Sequence, residues 1–143
     1  MSVPNQQPDR ANAESPYKSV GGLSRVANAI RYSIRGLALA WRIESAFRQE
    51  LTLAAILLPT AILLPIPIIQ RLALAGSTVM VLVIELLNSS IEAAIDRISL
   101  DHHNLSGRAK DFGSAAVFLA LMFCAISWAC IAGPVLFSAI AGL

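Results

Sequence analysis

Charge is what this chain has least of. Asp, Glu, Lys and Arg make up 14% of its 143 residues, against roughly 25% in ordinary soluble domains. The shortage is concentrated: between Glu50 and Glu85 the only charged residue is Arg71, and after Asp111 there is none. Hydrophobic residues account for 56% of the chain and the mean hydropathy is +0.65. A soluble globular domain is excluded, and the length is too short for two ordinary domains. Cysteine is scarce too. Cys124 and Cys130 lie six positions apart in an apolar run, about 120° from facing alike on a helix. They read as small packing residues, neither a disulfide nor a metal site. The familiar phosphate-handling signatures are missing: no GxxxxGK[ST] loop, no glycine-rich kinase loop and no HRD–DFG set. Nor is there a Ser-His-Asp arrangement or a zinc spacing. No basic cluster interleaved with aromatics is present, so nucleic acid is not an expected partner.

What is there reads as an integral membrane protein. Residues 1 to about 22, "MSVPNQQPDRANAESPYKSVGG", are polar, with three prolines and a closing Gly pair. They lack the apolar core and cleavage site of a signal peptide and are expected to form a disordered cytoplasmic tail. From about 24 to 49 the pattern is helical and amphipathic. Val26, Ile30, Ile34, Leu37 and Trp41 form one stripe, with Arg31, Arg35 and Arg42 on the opposite side; such a helix lies in the membrane interface. Glu44 falls on the apolar stripe in register with Val26, so either the helix bends, at Gly36 for example, or Glu44 points into a protected polar site.

Three spans are expected, at about 51–69, 72–95 and 112–137, the first interrupted by Pro59, Pro65 and Pro67. The fold class is therefore all-α, with three transmembrane helices per subunit and a surface helix. Seven of the eleven Lys and Arg precede residue 50, and Arg97, Arg108 and Lys110 fall in the second connection. The positive-inside rule places the N-terminal half and that connection in the cytoplasm and the C-terminus outside.

The second span carries an anomaly, "VLVIELLNSSIEAAIDRIS". At about 100° per residue, Asn88 lies some 60° from Glu85, while Glu92 and Asp96 lie within about 20° of it. Ionisable groups inside a bilayer are costly and usually mark a working site. Asn88 alone would fit a helix-gluing role; three acids on one face do not. Together with Glu44 they form a set of hard oxygen donors, the kind that holds magnesium beside substrate phosphates. A glutamate withdrawn from bulk water beside such a site can act as general base. Lys110-Asp111 opens the third span. His102-His103 are adjacent in a loop and suit a loop contact with a nucleotide better than paired metal ligation.

The stretches "WRIESAFRQE", "ELLNSSIEAAIDRIS" and "HNLSGRAKDFGSAAV" agree in order and spacing with one family. The chain resembles the small prokaryotic diacylglycerol kinases of the bacterial inner membrane from about Arg25 to about Trp128. That resemblance implies a homotrimer that moves the γ-phosphoryl group of magnesium-ATP to the primary hydroxyl of sn-1,2-diacylglycerol in the membrane. Glu85 matches the general base, and Glu44 and Glu92 match the Mg2+ ligands. Arg25, Tyr32, Asp101, His102, His103, Lys110 and Asp111 match nucleotide-contacting positions, as do the two metal ligands. Ser33, Trp41, Arg48, Gln49, Glu50 and Ser114 match the lipid side, and Arg25, Arg71 and Glu85 are also assigned to the substrate. Asn88 and Asp96 match supporting positions. Asp101 and His102 stand where the family usually has Glu and an aromatic residue, and the prolines of the first span are unusual for it. The nearest rival is undecaprenol kinase, which shares the "NxxIE…D" core; Trp41, "AFRQE" and "SGRAKD" favour the diacylglycerol branch. A non-enzymatic oligomeric pore lined by these acids is the rival from another class.

Overall fold

The computed structural model describes residues 22–98 and 103–141, with side chains over 24–98 and 103–138. The described residues form four helices and no strand: α1 (Gly22–Ile43), α2 (Ser45–Leu63), α3 (Ile68–Ile98) and α4 (Asn104–Ala141). Three segments are long and apolar enough to cross a membrane, Ser45–Leu63, Ile68–Ile98 and Asn104–Ser138, with mean hydropathies of 1.3, 1.8 and 2.4. The expected tail, up to about residue 22, lies almost wholly outside the described residues. The chain up to Ala38 and the chain from Leu39 onward form two separate units; the packing described below belongs to the second.

The helices begin and end where local chemistry requires. The amphipathic pattern is not carried through to residue 49. α1 is helical through Gly36 and stops at Ile43, and Glu44 alone is extended, with φ −94° and ψ 114°. Its N–H still donates to the Ala40 carbonyl, 2.9 Å, while its own carbonyl accepts from the Arg48 N–H, 3.3 Å, and so opens α2. A helix end leaves carbonyls without partners. Here Arg48 Nη1 reaches back to the Trp41 and Arg42 carbonyls at 3.3 and 3.2 Å, a cation at a helix C-terminus, where the dipole favours it.

The prolines set the other break. Leu64, before Pro65, takes an extended backbone with ψ 138°, as the residue before proline must when the ring excludes the helical region. α2 therefore ends at Leu63, six residues short of the expected Ile69. Pro67 sits just outside α3, and its carbonyl accepts from the N–H groups of Gln70 and Arg71. Pro59 stays inside α2. Next to it, Thr60 Oγ1 donates to the Ile56 carbonyl at 2.8 Å; membrane helices tolerate such a proline where neighbouring groups re-satisfy the backbone. α4 starts at Asn104, eight residues before the expected Phe112, because "NLSGRAKD" is helical although polar.

α3 packs against both α2 and α4. The core near the α2–α3 turn is Ala61, Leu64, Ile66, Leu74 and Ala132, with Trp128, Ile131 and Val135 against it. Small residues recur at the crossings, as expected where close contact rather than exclusion of water drives helix association. Midway along, Trp128 Nε1 donates to Thr78 Oγ1 at 3.1 Å, and that hydroxyl donates to the Leu74 carbonyl at 2.9 Å. Cys124 is buried 3.8 Å from the same hydroxyl, and Cys130 is free and exposed. Large apolar side chains elsewhere point outward, among them Ile56, Ile62, Leu119, Phe123 and Phe137. A lipid environment accepts such a surface.

Candidate active site

α3 runs without interruption through the four polar positions, so they keep the shared face that the helical spacing requires. Burial grades along it. Glu85 is 4% exposed, Asn88 and Glu92 are half-buried, and Asp96 is exposed. Asn88 Nδ2 donates to Glu92 Oε1 at 3.3 Å. Asp96 Oδ1 accepts from Lys110 Nζ at 2.7 Å, an ion pair tying the end of α3 to the first turns of α4.

The acids from α2 and its junction with α1 face the same place. Glu44 and Glu92 both act on the Glu85 carboxylate as like charges, and Glu85 acts in the same way on Glu50. One carboxylate oxygen of Glu50, Oε2, is buried with no hydrogen-bond partner. From Leu39 onward, no described lysine or arginine stands at ion-pair distance from Glu44, Glu85 or Glu92, the pair found there being Asp96–Lys110. Lys110, held by Asp96, is near enough for its charge to act on Glu92, and a set of acids this rich in negative charge suits a bound cation. Among the described residues no group of three or more His, Cys, Asp or Glu converges closely enough to cage a metal. That agrees with magnesium, which commonly takes one or two carboxylates and leaves the rest of its shell to water and phosphate. Glu44 and Glu92 are carboxylates of the kind such a site uses, and both act on Glu85.

On α2 and the end of α1, Trp41, Arg48, Gln49, Thr52, Leu53 and Ile56 line an open groove of about 520 Å³. Three of the six are residues expected on the lipid side. Thr52, Leu53 and Ile56 were not singled out from the sequence. They continue the face of Arg48 and Gln49 at the i, i+4 spacing of one helix, a signal visible once α2 is known to begin at Ser45. Gln49, one of its lining residues, immediately precedes Glu50 in α2.

The remaining expected residues fall as follows. Arg25, Tyr32 and Ser33 are exposed on α1. The Arg31 guanidinium lies 5.5 Å from the Tyr32 ring centroid, and Ser33 Oγ donates to the Ala29 carbonyl at 2.9 Å. His103 Nδ1 accepts from the Leu105 N–H at 3.2 Å, capping the first turn of α4. Asp111 and Ser114 are exposed on α4, while Asp101 and His102 lie outside the described residues. Arg71 is not brought to the acids. Its Nε donates to the Ile66 carbonyl at 3.1 Å in the α2–α3 turn, and the fourteen residues to Glu85 set it roughly 21 Å away along α3.

The profile of the prokaryotic diacylglycerol kinase family matches residues 31–132. Among curated proteins, the diacylglycerol kinase of Pseudomonas aeruginosa is 46% identical over 117 residues, covering 82% of this chain and 95% of its own. The diacylglycerol kinase of Escherichia coli K12 is 46% identical over 107 residues, 75% of this chain and 88% of that one. That of Haemophilus influenzae is 45% identical over 112 residues, 78% and 94%.

Proposed function

Because the chain belongs to the prokaryotic diacylglycerol kinase family, we propose that it transfers the γ-phosphoryl group of ATP to the primary hydroxyl of a membrane diacylglycerol. The product is phosphatidic acid. The observation that carries the reading is the buried Glu85 on a membrane-spanning helix, with two further acids near enough for their charges to act on it. A lipid hydroxyl must meet a charged phosphate somewhere, and the headgroup boundary is where both can be.

In this reading the acyl chains lie along Trp41, Leu53 and Ile56, with the glycerol end toward Gln49 and Glu50. Glu85 takes the hydroxyl proton as the hydroxyl oxygen bonds to the γ-phosphorus; the bond to the bridging oxygen breaks and ADP leaves. Positioning and charge neutralisation dominate such transfers. Glu44 and Glu92 would hold magnesium, which when bound offsets the charge of the β- and γ-phosphates. Asn88 keeps Glu92 oriented through its amide N–H, and Asp96 holds Lys110 at the mouth of the site, where its ammonium is available to phosphate oxygens. Arg25, Tyr32, Asp101, His102, His103 and Asp111 are assigned to the nucleotide by their match to the family's positions. The working unit is a homotrimer in the bacterial inner membrane, with the acids toward the cytoplasm and its ATP.

The test is purified protein in mixed micelles with radiolabelled ATP and a panel of lipid alcohols. Label in phosphatidic acid is the expected result. Label in undecaprenyl phosphate alone would move the chain to the rival acceptor, and no ATP-dependent labelling would remove the kinase reading.

A further inference from the structure

α3 and α4 come into close contact where Asn88 meets Gly113. Gly113 is buried, and a Cβ added to it would overlap Asn88 Oδ1. Among the glycines with described surroundings, Gly36, Gly76, Gly107 and Gly133 meet nothing within 4 Å, so of these five Gly113 alone stands where a side chain would collide. Asn88 Oδ1 is itself buried without a hydrogen-bond partner, while Nδ2 donates to Glu92 Oε1. A carboxylate oxygen accepts and does not donate, so the amide must present its nitrogen to Glu92. The oxygen then has to face Gly113. The amide is planar and rigid, and whatever fixes one end fixes the other.

We infer that Gly113 is a positioning residue for the magnesium-binding carboxylate: the gap left by its missing side chain seats the Asn88 amide with its N–H aimed at Glu92. Groups that orient a metal's ligands commonly matter to affinity by about 10- to 100-fold. A glycine that served helix packing alone would matter to stability and leave metal affinity untouched. This inference rests on Glu92 as a magnesium ligand, and the experiment separates the two.

The readout is binding of manganese, a paramagnetic substitute for magnesium, in the presence of a non-hydrolysable ATP analogue, by electron paramagnetic resonance of the free ion. No turnover is involved. Gly113→Ala and Asn88→Ala should each weaken binding by about tenfold or more. The double variant should bind no worse than Asn88→Ala alone, since residues acting through one path are not additive. If Gly113→Ala fails to assemble, adding Asn88→Ala should restore assembly, because the obstacle to the new methyl is the amide. Unchanged manganese affinity in Gly113→Ala overturns the inference, as do multiplying effects or a double variant that stays unassembled. Glu92→Gln is the control. If it loses binding while Gly113→Ala does not, the positioning role alone fails; if it keeps binding, the ligand assignment fails.

Discussion

At the scale of single residues, Glu85 and Glu92 share a face and differ in depth, two turns apart, and depth separates their proposed roles. Glu85→Gln keeps shape and removes the proton acceptor. Turnover should fall by about 10²- to 10⁴-fold with nucleotide affinity close to wild type, because a base acts in the transition state. Glu92→Gln and Glu44→Gln should weaken magnesium-ATP binding as well as slow turnover. The measurement is nucleotide affinity and turnover for each variant across a magnesium titration. Near-normal turnover in Glu85→Gln would remove the base assignment, and an unchanged magnesium dependence in the other two would remove the ligand assignment. These residues are legible in the sequence because a charge within an apolar run is conspicuous, and Glu44 because it sits on the wrong stripe of an amphipathic pattern. Gly113 is not legible. Nothing in "KDFGS" says that Asn88, 25 positions earlier, will occupy the space of its side chain. His103 carries a structural role that the sequence does not announce: its Nδ1 caps the first turn of α4.

At the scale of elements, the long helices are legible and their ends are not. Hydropathy marks where lipid can be, whereas a helix ends where its backbone finds another partner. α4 extends through a polar stretch that hydropathy excludes, and α2 begins within a pattern that looks like continuous surface helix until Glu44 breaks it. The contacts between elements are still less visible. The Trp128–Thr78–Leu74 chain of hydrogen bonds joins residues 50 positions apart. Thr78→Val preserves volume and deletes the hydroxyl, leaving the indole N–H without its acceptor. Interhelical hydrogen bonds in membranes average about 0.6 kcal/mol and reach about 1.7. Thr78→Val should therefore destabilise the protein within that range in detergent-titrated unfolding, with turnover per folded molecule unchanged, since the bond is far from the acids. Undiminished stability would mean that Trp128 finds another acceptor.

At the scale of the whole molecule, the family match begins at Arg31 and ends at Ala132, so the polar stretch before about residue 22 falls outside it. Deleting residues 2–21 should leave turnover in micelles unchanged. Loss of activity in a deleted protein that still inserts would give that stretch a role in catalysis. The proposed orientation in the membrane rests on charge and on the odd number of spans. Arginines crowd the N-terminal half and the α3–α4 connection, whereas the α2–α3 turn has Arg71 alone, and cytoplasmic segments carry the excess of Lys and Arg. The proposed chemistry points the same way, because Glu92 and the Asp96–Lys110 pair lie toward the end of α3 that the arginines mark, the end that the proposal turns toward ATP. Ile68→Cys in the turn and Asn104→Cys at the start of α4 report the two sides; both positions are exposed. In intact spheroplasts a membrane-impermeant maleimide should label Ile68→Cys at once and Asn104→Cys only after permeabilisation. The wild type is the control, its two cysteines lying within the apolar part of α4. The reverse pattern would put the acids on the side without ATP, and the proposed site would then have no nucleotide to use.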